Sequence, residues 1–168
     1  QPSITLTYNG IVLGSGDYSK SSSLFKDVGD YQITLEGKGN FCGSKTVDFS
    51  ITPRDIANCT AEEIEDQTYT GEAITPYVDV YDGEDILDES SYDVSYSANI
   101  VPSEVTVTIT GKGNYTGTLT TTFNILRKDI STVDIDYETE FTYSEGDQIS
   151  PNVLLFFNGN ALREDVDY

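Results

Sequence analysis

The chain has 168 residues, of which 37% are hydrophobic, enough for thin β cores and too many for intrinsic disorder. Its formal net charge of −20 and its sequence pI near 4.1 repel nucleic acid and anionic membrane surfaces, so neither is an expected partner. Histidine is absent, which removes the commonest general base and the commonest metal ligand, and the longest obvious apolar run, Val153–Phe157, is too short for membrane insertion.

In chain order, Pro2, Ile4 and Leu6 are expected to open a strand that Tyr8-Asn9-Gly10 turns, with Val12 and Leu13 following. The Ser-rich run Ser19–Lys26 reads as a loop. Tyr31, Ile33 and Leu35 then alternate with Gln32, Thr34 and Glu36, and the alternation resumes at Val47, Phe49 and Ile51. Period two marks strands with one buried and one wet face, so 31–36 and 45–51 are predicted to form a β-hairpin. Thr52-Pro53-Arg54-Asp55 interrupts the strand and resets its direction. Beyond it come an expected strand near Ile56–Ala61 and an acidic segment of Glu62, Glu63, Glu65 and Asp66. Strands at Tyr77–Tyr81 and Tyr92–Tyr96 and a second hairpin over 104–125 follow.

The second hairpin repeats the first. Gly37-Lys38-Gly39-Asn40-Phe41-Cys42-Gly43 returns as Gly111-Lys112-Gly113-Asn114-Tyr115-Thr116-Gly117, and the flanking apolar positions return at the same offset. In both copies the glycines are expected to supply the positive φ of a tight or bulged turn. A phosphate-binding loop does not fit, because a strand rather than a helix continues from the run and no Lys-Ser/Thr closes it. Further on, and again at that offset, Arg127-Lys128-Asp129-Ile130 echoes Arg54-Asp55-Ile56, and Tyr143 echoes Tyr69. One inserted residue then moves Pro151 a single position beyond the place that Pro76 would take in the next copy. Asn158-Gly159 resembles Asp82-Gly83, and Asp167-Tyr168 falls where the middle copy has Ser91-Tyr92.

The predicted organisation is thus 1–52 as the C-terminal part of a repeat, 53–126 as a complete repeat and 127–168 as the N-terminal part of another. An array that starts and stops within a repeat is the expectation for part of a longer protein. A repeat of this length buries only about 60% of its unfolded surface, so neighbouring repeats of the same chain are expected partners.

The middle copy carries a resemblance to a known class. Tyr69-Thr70-Gly71, Ile74-Thr75-Pro76, Asp82-Gly83, Val94-Ser95-Tyr96, the run from Val105 to Gly117, and Phe123-Asn124-Ile125 resemble tandem immunoglobulin-like (MBG/YDG-type) repeats of bacterial cell-surface proteins. Two departures are Ile100–Glu104, where relatives more often carry a Gly-Thr/Ala turn, and Cys42 in place of the Thr at 116. The resemblance implies an all-β fold of small antiparallel β-sandwiches joined end to end. It also implies an extracellular setting on a bacterial cell surface or cell wall and a role as stalk, spacer or adhesin segment. No catalytic residues belong to such repeats, so no enzyme activity is expected. Such repeats also accompany glycan-active domains, which leaves a glycan- or matrix-protein-binding module as the alternative.

Candidate sites are few. Cys42 and Cys59 are the only cysteines, and both are replaced one repeat later, by Thr116 and Val133. Joint presence in a secreted setting favours a disulfide between them. Against it, strands rise about 3.3 Å per residue and a bridge needs Cα atoms within about 7 Å. No cofactor is expected. Calcium is the one metal considered, at Glu62, Glu63, Glu65 and Asp66 or at Asp129, Asp134 and Asp136, but no Asp-x-Asp-x-Asp-Gly loop supports it, and a solvated acidic face is the simpler reading. Tyr8, Tyr81 and Tyr143 are candidates for sugar stacking, weighed against packing over turns. Asn58-Cys59-Thr60 and Asn114-Tyr115-Thr116 fit the glycosylation pattern, read here as coincidence.

Overall fold

A computed structural model describes residues 4–21, 24–143, 145–146, 150 and 152–163. Pro2, Ser22 and Ser23 of the Ser-rich loop, Pro151, Asp167 and Tyr168 lie outside the described residues. The protein is all-β: strands and three short 3-10 turns, with no α-helix among the described residues. None of these is a helix long and apolar enough to cross a membrane. The chain packs into two compact units, one of residues 1–62, 79–94 and 108–119, the other of residues 63–78, 95–107 and 120–168.

In the first unit, Tyr18–Lys20, Gly29–Gly37 and Ser44–Ile51 form an antiparallel sheet in that order. Its register sets Tyr31 opposite Phe49 and Ile33 opposite Val47, so the alternating apolar residues share one face. Ile33 and Leu35 are buried there, and Phe25 closes one end against Tyr31 and Phe49, with ring centroids 4.7 and 5.0 Å away. A slip of one residue would turn that whole set to water, which fixes the pairing.

A smaller hairpin occurs three times. Thr7–Tyr8 pairs with Ile11–Val12, and Val80–Asp82 with Asp85–Ile86, both in the first unit. In the second unit Val153–Phe157 pairs with Asn160–Ala161. Thr7 faces Val12, Tyr81 faces Ile86 and Phe156 faces Ala161, which are the same positions of successive copies once the inserted residue is allowed for. The next backbone bond also recurs, from Leu13 N to Leu6 O at 2.9 Å, Leu87 N to Val80 O at 2.8 Å and Leu162 N to Leu155 O at 2.7 Å. At two tips, Asn9-Gly10 and Asn158-Gly159, both residues hold positive φ, as a two-residue type I′ connection requires. The strand preceding the hairpin recurs as well: Ala61 pairs with Val80, and Ile135 with Leu155. The small hairpin thus recurs three times, and the strand pairing before it twice, in matching register.

The second long hairpin spans Glu104–Gly111 and Thr118–Leu126 and belongs to a sheet ordered Tyr92–Tyr96, Glu104–Gly111, Thr118–Leu126, Gln67–Thr68. Val105, Val107, Ile109, Phe123 and Ile125 are buried, as their alternation predicts.

Three expectations are corrected. The strand expected near Ile56–Ala61 begins as a 3-10 turn over Ile56–Asn58, because the Asp55 carboxylate accepts from Ala57 N at 3.0 Å and caps it; only Thr60–Ala61 is extended. Asp129 caps Ile130–Thr132 in the same way, through Ser131 N at 2.9 Å. The strand expected over Tyr77–Tyr81 forms only at Val80–Asp82, where the neighbouring strands reach it. The sheets are also not purely antiparallel. Tyr115–Thr116 pairs in parallel with Arg54–Asp55, and Ile125–Leu126 with Gln67–Thr68, pairings between segments too far apart in sequence for a hairpin period to reveal.

Candidate functional site

The two long turns close by the same bonds. Gly37 N donates to Gly43 O at 2.9 Å and Gly111 N to Gly117 O at 3.0 Å. Phe41 N donates to Lys38 O and Tyr115 N to Lys112 O, at 3.0 and 3.1 Å, while Lys38 N and Lys112 N each reach back 2.7 Å, to Asp17 O and Ser91 O. The glycines serve two different purposes. Gly39 and Gly113 stand at φ 60° and 62°, and Gly43 and Gly117 at 83° and 78°, as expected for left-handed turn positions. Gly37 and Gly111 do not have positive φ, contrary to expectation. They are glycines because a Cβ there would lie 2.8 Å from the backbone nitrogen of Cys42 or Thr116, where the chain folds back over the turn.

In the second copy this turn is a junction. Arg54 N donates to Asn114 O at 2.9 Å, starting the parallel pair with Tyr115–Thr116, and Gly117 leaves room for the Asp55 carboxylate. The Asn114 side chain reaches into the preceding copy: its Oδ1 accepts from Val28 N at 2.7 Å and its Nδ2 donates to Asp27 Oδ1 at 2.9 Å. One amide thereby answers a donor and an acceptor of the same loop.

Beside the junction lies a charged cluster centred on Asp82. Arg54 Nη2 stands 2.6 Å from Asp82 Oδ1, and the Tyr115 hydroxyl donates to Asp82 Oδ2 at 3.1 Å. Cys59 is buried next to them; burial first, and then the negative charge of Asp82, push its thiol above the usual range, with Arg54 opposing. Burial, followed by the hydrogen bond to Asp82, likewise raises Tyr115. Both groups stay protonated at neutral pH. A thiol held neutral is the opposite of an activated nucleophile, so the chemistry of this cluster is to bind the start of one copy to its own turn and small hairpin.

The second unit contains another meeting of copies. Phe157 stacks on Tyr69 at 5.6 Å and 26°, and Asn158 Nδ2 donates to Thr70 O at 2.7 Å. Gly71, at φ 85°, packs against both, since a Cβ there would lie 3.3 Å from the Phe157 ring and 3.4 Å from Asn158 Nδ2.

Cys42 is exposed, Cys59 is buried, and both are free thiols, so the candidate disulfide is not formed. Asp66 accepts from the backbone and side-chain nitrogens of Asn124 at 2.9 and 3.0 Å, and Asp129 is occupied as a cap. Among the described residues, no three His, Cys, Asp or Glu side chains come together in a way that could hold a metal ion. Tyr8 is exposed and packs edge-on to Phe41 at 5.6 Å, Tyr81 is half-buried, and Tyr143 is 83% exposed. Asn58 is exposed, while Asn114 is engaged as described. Sequence reasoning treats Asn114 as a turn former and misses its role in the junction. The one available signal is a polar side chain kept at the same place in both turns, Asn40 and Asn114.

Fold and contacts together define an all-β protein in which one long turn, through Asn114, and one hairpin tip, through Asn158, hold together segments far apart in the chain. No family model, curated protein or solved structure matches the chain.

Proposed function

We propose that the chain is a non-catalytic stalk, spacer or adhesin segment of a bacterial surface protein, built from tandem immunoglobulin-like sandwiches of the MBG/YDG type. The observation that carries this reading is the small hairpin recurring three times in one register, with Thr7–Val12, Tyr81–Ile86 and Phe156–Ala161 as equivalent pairs. Repetition of a whole backbone unit multiplies length, whereas chemistry needs one assembled site. Junction contacts made by Asn114 and by Phe157 and Asn158 support it, since each couples a copy to its neighbour. A net charge of −20 keeps such a segment soluble and apart from other acidic surfaces.

The test is small-angle scattering on the purified chain, together with binding to a panel of glycans and matrix proteins in calcium and in chelator. A rod-like profile with no saturable binding is expected; a folded-back profile would refute the spacer reading. A glycan-binding role has one observation in its favour. Tyr8, 58% exposed, lies on Phe41, which lines an open cleft of about 180 Å³ with Leu6, Leu13 and Leu35. Saturable binding lost in Tyr8→Ala would put that role first.

A further inference from the structure

We propose that Asn158 is a deamidation site, and that its conversion to aspartate or isoaspartate releases the small-hairpin tip from residues 69–71 for good. Deamidation needs the backbone nitrogen that follows an asparagine to reach that residue's own side-chain carbonyl carbon, so an amide already donating a hydrogen bond is held back. The fold sorts the asparagines on this point. After Asn40, Asn58, Asn114 and Asn124 the next amide is engaged, donating to Lys38 O, Ile56 O, Lys112 O and Ser103 O at 3.0, 2.9, 3.1 and 2.9 Å. At the tip, Asn158 and Gly159 are both exposed, and the Gly159 amide has no acceptor among the described residues. Nor have the amides of Gly10 and Glu84, at the same place in the other two small hairpins, so the free donor belongs to the two-residue turn itself. Gly159 has no side chain to crowd the approach, and nothing lies within 4 Å of where its Cβ would be.

Water is the only other reactant. The Gly159 nitrogen bonds to Asn158 Cγ, the bond from Cγ to Nδ2 breaks, and ammonia leaves with the proton that the Gly159 amide gives up. Water then opens the cyclic imide, at one carbonyl to give aspartate and at the other to give isoaspartate, whose main chain runs through the former side chain. Neither product keeps the contact. Asn158 Nδ2 donates to Thr70 O at 2.7 Å, and aspartate sets a carboxylate oxygen against that carbonyl oxygen, two acceptors with no proton between them. The packing leaves little room to turn aside, since a Cβ on Gly71 would lie 3.4 Å from Nδ2 and 3.3 Å from the Phe157 ring. Isoaspartate adds a methylene to the main chain of a two-residue turn, which disturbs the Phe157–Asn160 pair and with it the stack of Phe157 on Tyr69. All these residues belong to the second unit. Neither product reverts to asparagine, so the release runs one way.

The experiment ages the purified full chain in mildly alkaline buffer and follows each asparagine by peptide mapping and mass spectrometry. Asn158 should convert at least about tenfold faster than Asn40, Asn58 or Asn114, whose following amides must first break a hydrogen bond. Equal rates would overturn the proposal. Release is read by NMR, as the nuclear Overhauser effect between the Tyr69 and Phe157 rings. It should be lost in the aged chain, which carries no substitution, and in Asn158→Asp. It should survive in Asn9→Asp, which makes the same change of charge in the equivalent turn of the first small hairpin. A ring contact that persists in both the aged chain and Asn158→Asp would overturn the proposal, and so would one that Asn9→Asp also abolishes.

Discussion

Gly111 and Gly113 stand close together in one turn and are glycines for different reasons, which a pair of substitutions can separate. A Cβ on Gly111 would lie 2.8 Å from Thr116 N and 2.9 Å from the Tyr115 carbonyl carbon, both backbone atoms of the folded-back chain. Relieving that overlap means moving the turn, an overpacking cost of about 1–3 kcal/mol. The alanine also narrows the unfolded ensemble, which returns about 0.4–1 kcal/mol. Gly111→Ala should therefore destabilise by roughly 1–2 kcal/mol. At Gly113 a Cβ meets nothing within 4 Å, and the cost is the φ of 62°, about 1–2 kcal/mol for alanine. The two alanine variants thus look alike, but the asparagine variants do not. Asn tolerates the left-handed region, so Gly113→Asn should recover most of the loss, while Gly111→Asn keeps the clash and recovers none. Urea unfolding followed by circular dichroism reads this as a midpoint lowered by roughly 0.5–1 M in Gly111→Asn, for a slope of about 2 kcal/mol per molar, and a near-parental midpoint in Gly113→Asn. Equal midpoints for the two asparagine variants would refute the division of roles.

Asn114→Ala should leave the turn folded but free the Val28 amide, which hydrogen exchange would detect as faster exchange at Val28 with little change at Gly111. Unchanged protection at Val28 would show that the junction does not depend on this side chain. A double-mutant cycle on Arg54→Ala and Asp82→Asn should give a coupling of only about 0.5–1 kcal/mol, because the Arg54 side chain is 55% exposed and water screens the pair; a coupling several times larger would mean a drier cluster than described. With a thiol reagent at neutral pH, Cys42 should react at once and Cys59 only on unfolding, and equal rates would contradict the burial and raised pKa of Cys59. Asp88 and Asp129 have pKa values lowered by hydrogen bonds from Ser90 and Ser131. Their capping contribution is complete above the ordinary carboxylate pKa and lost as pH falls through the lowered one. Asp129→Asn should therefore flatten the acid limb of a stability-against-pH curve, and an unaltered limb would contradict this.

Which parts of the molecule were legible in the sequence follows from the range of the interactions. The alternation of Tyr31, Ile33 and Leu35, and of Val105, Val107 and Ile109, is a local statement of which face is dry, and the buried residues follow it. The small hairpins were legible at their Asn-Gly and Asp-Gly turns, and they share one register down to the bonds of Leu13, Leu87 and Leu162 although most of their other side chains differ. Short-range polar competition was harder to read: Asp55 bonding Ala57 N turned an expected strand into a 3-10 turn. The parallel pairs at Arg54–Asp55 and Gln67–Thr68, the hold of Asn114 on Asp27 and Val28, and the meeting of Arg54, Cys59, Tyr115 and Asp82 were decided by tertiary structure alone. Each joins residues far apart in the chain through one or two directional bonds. Such bonds impose no period on the sequence, and only the folded chain brings the partners within reach of each other.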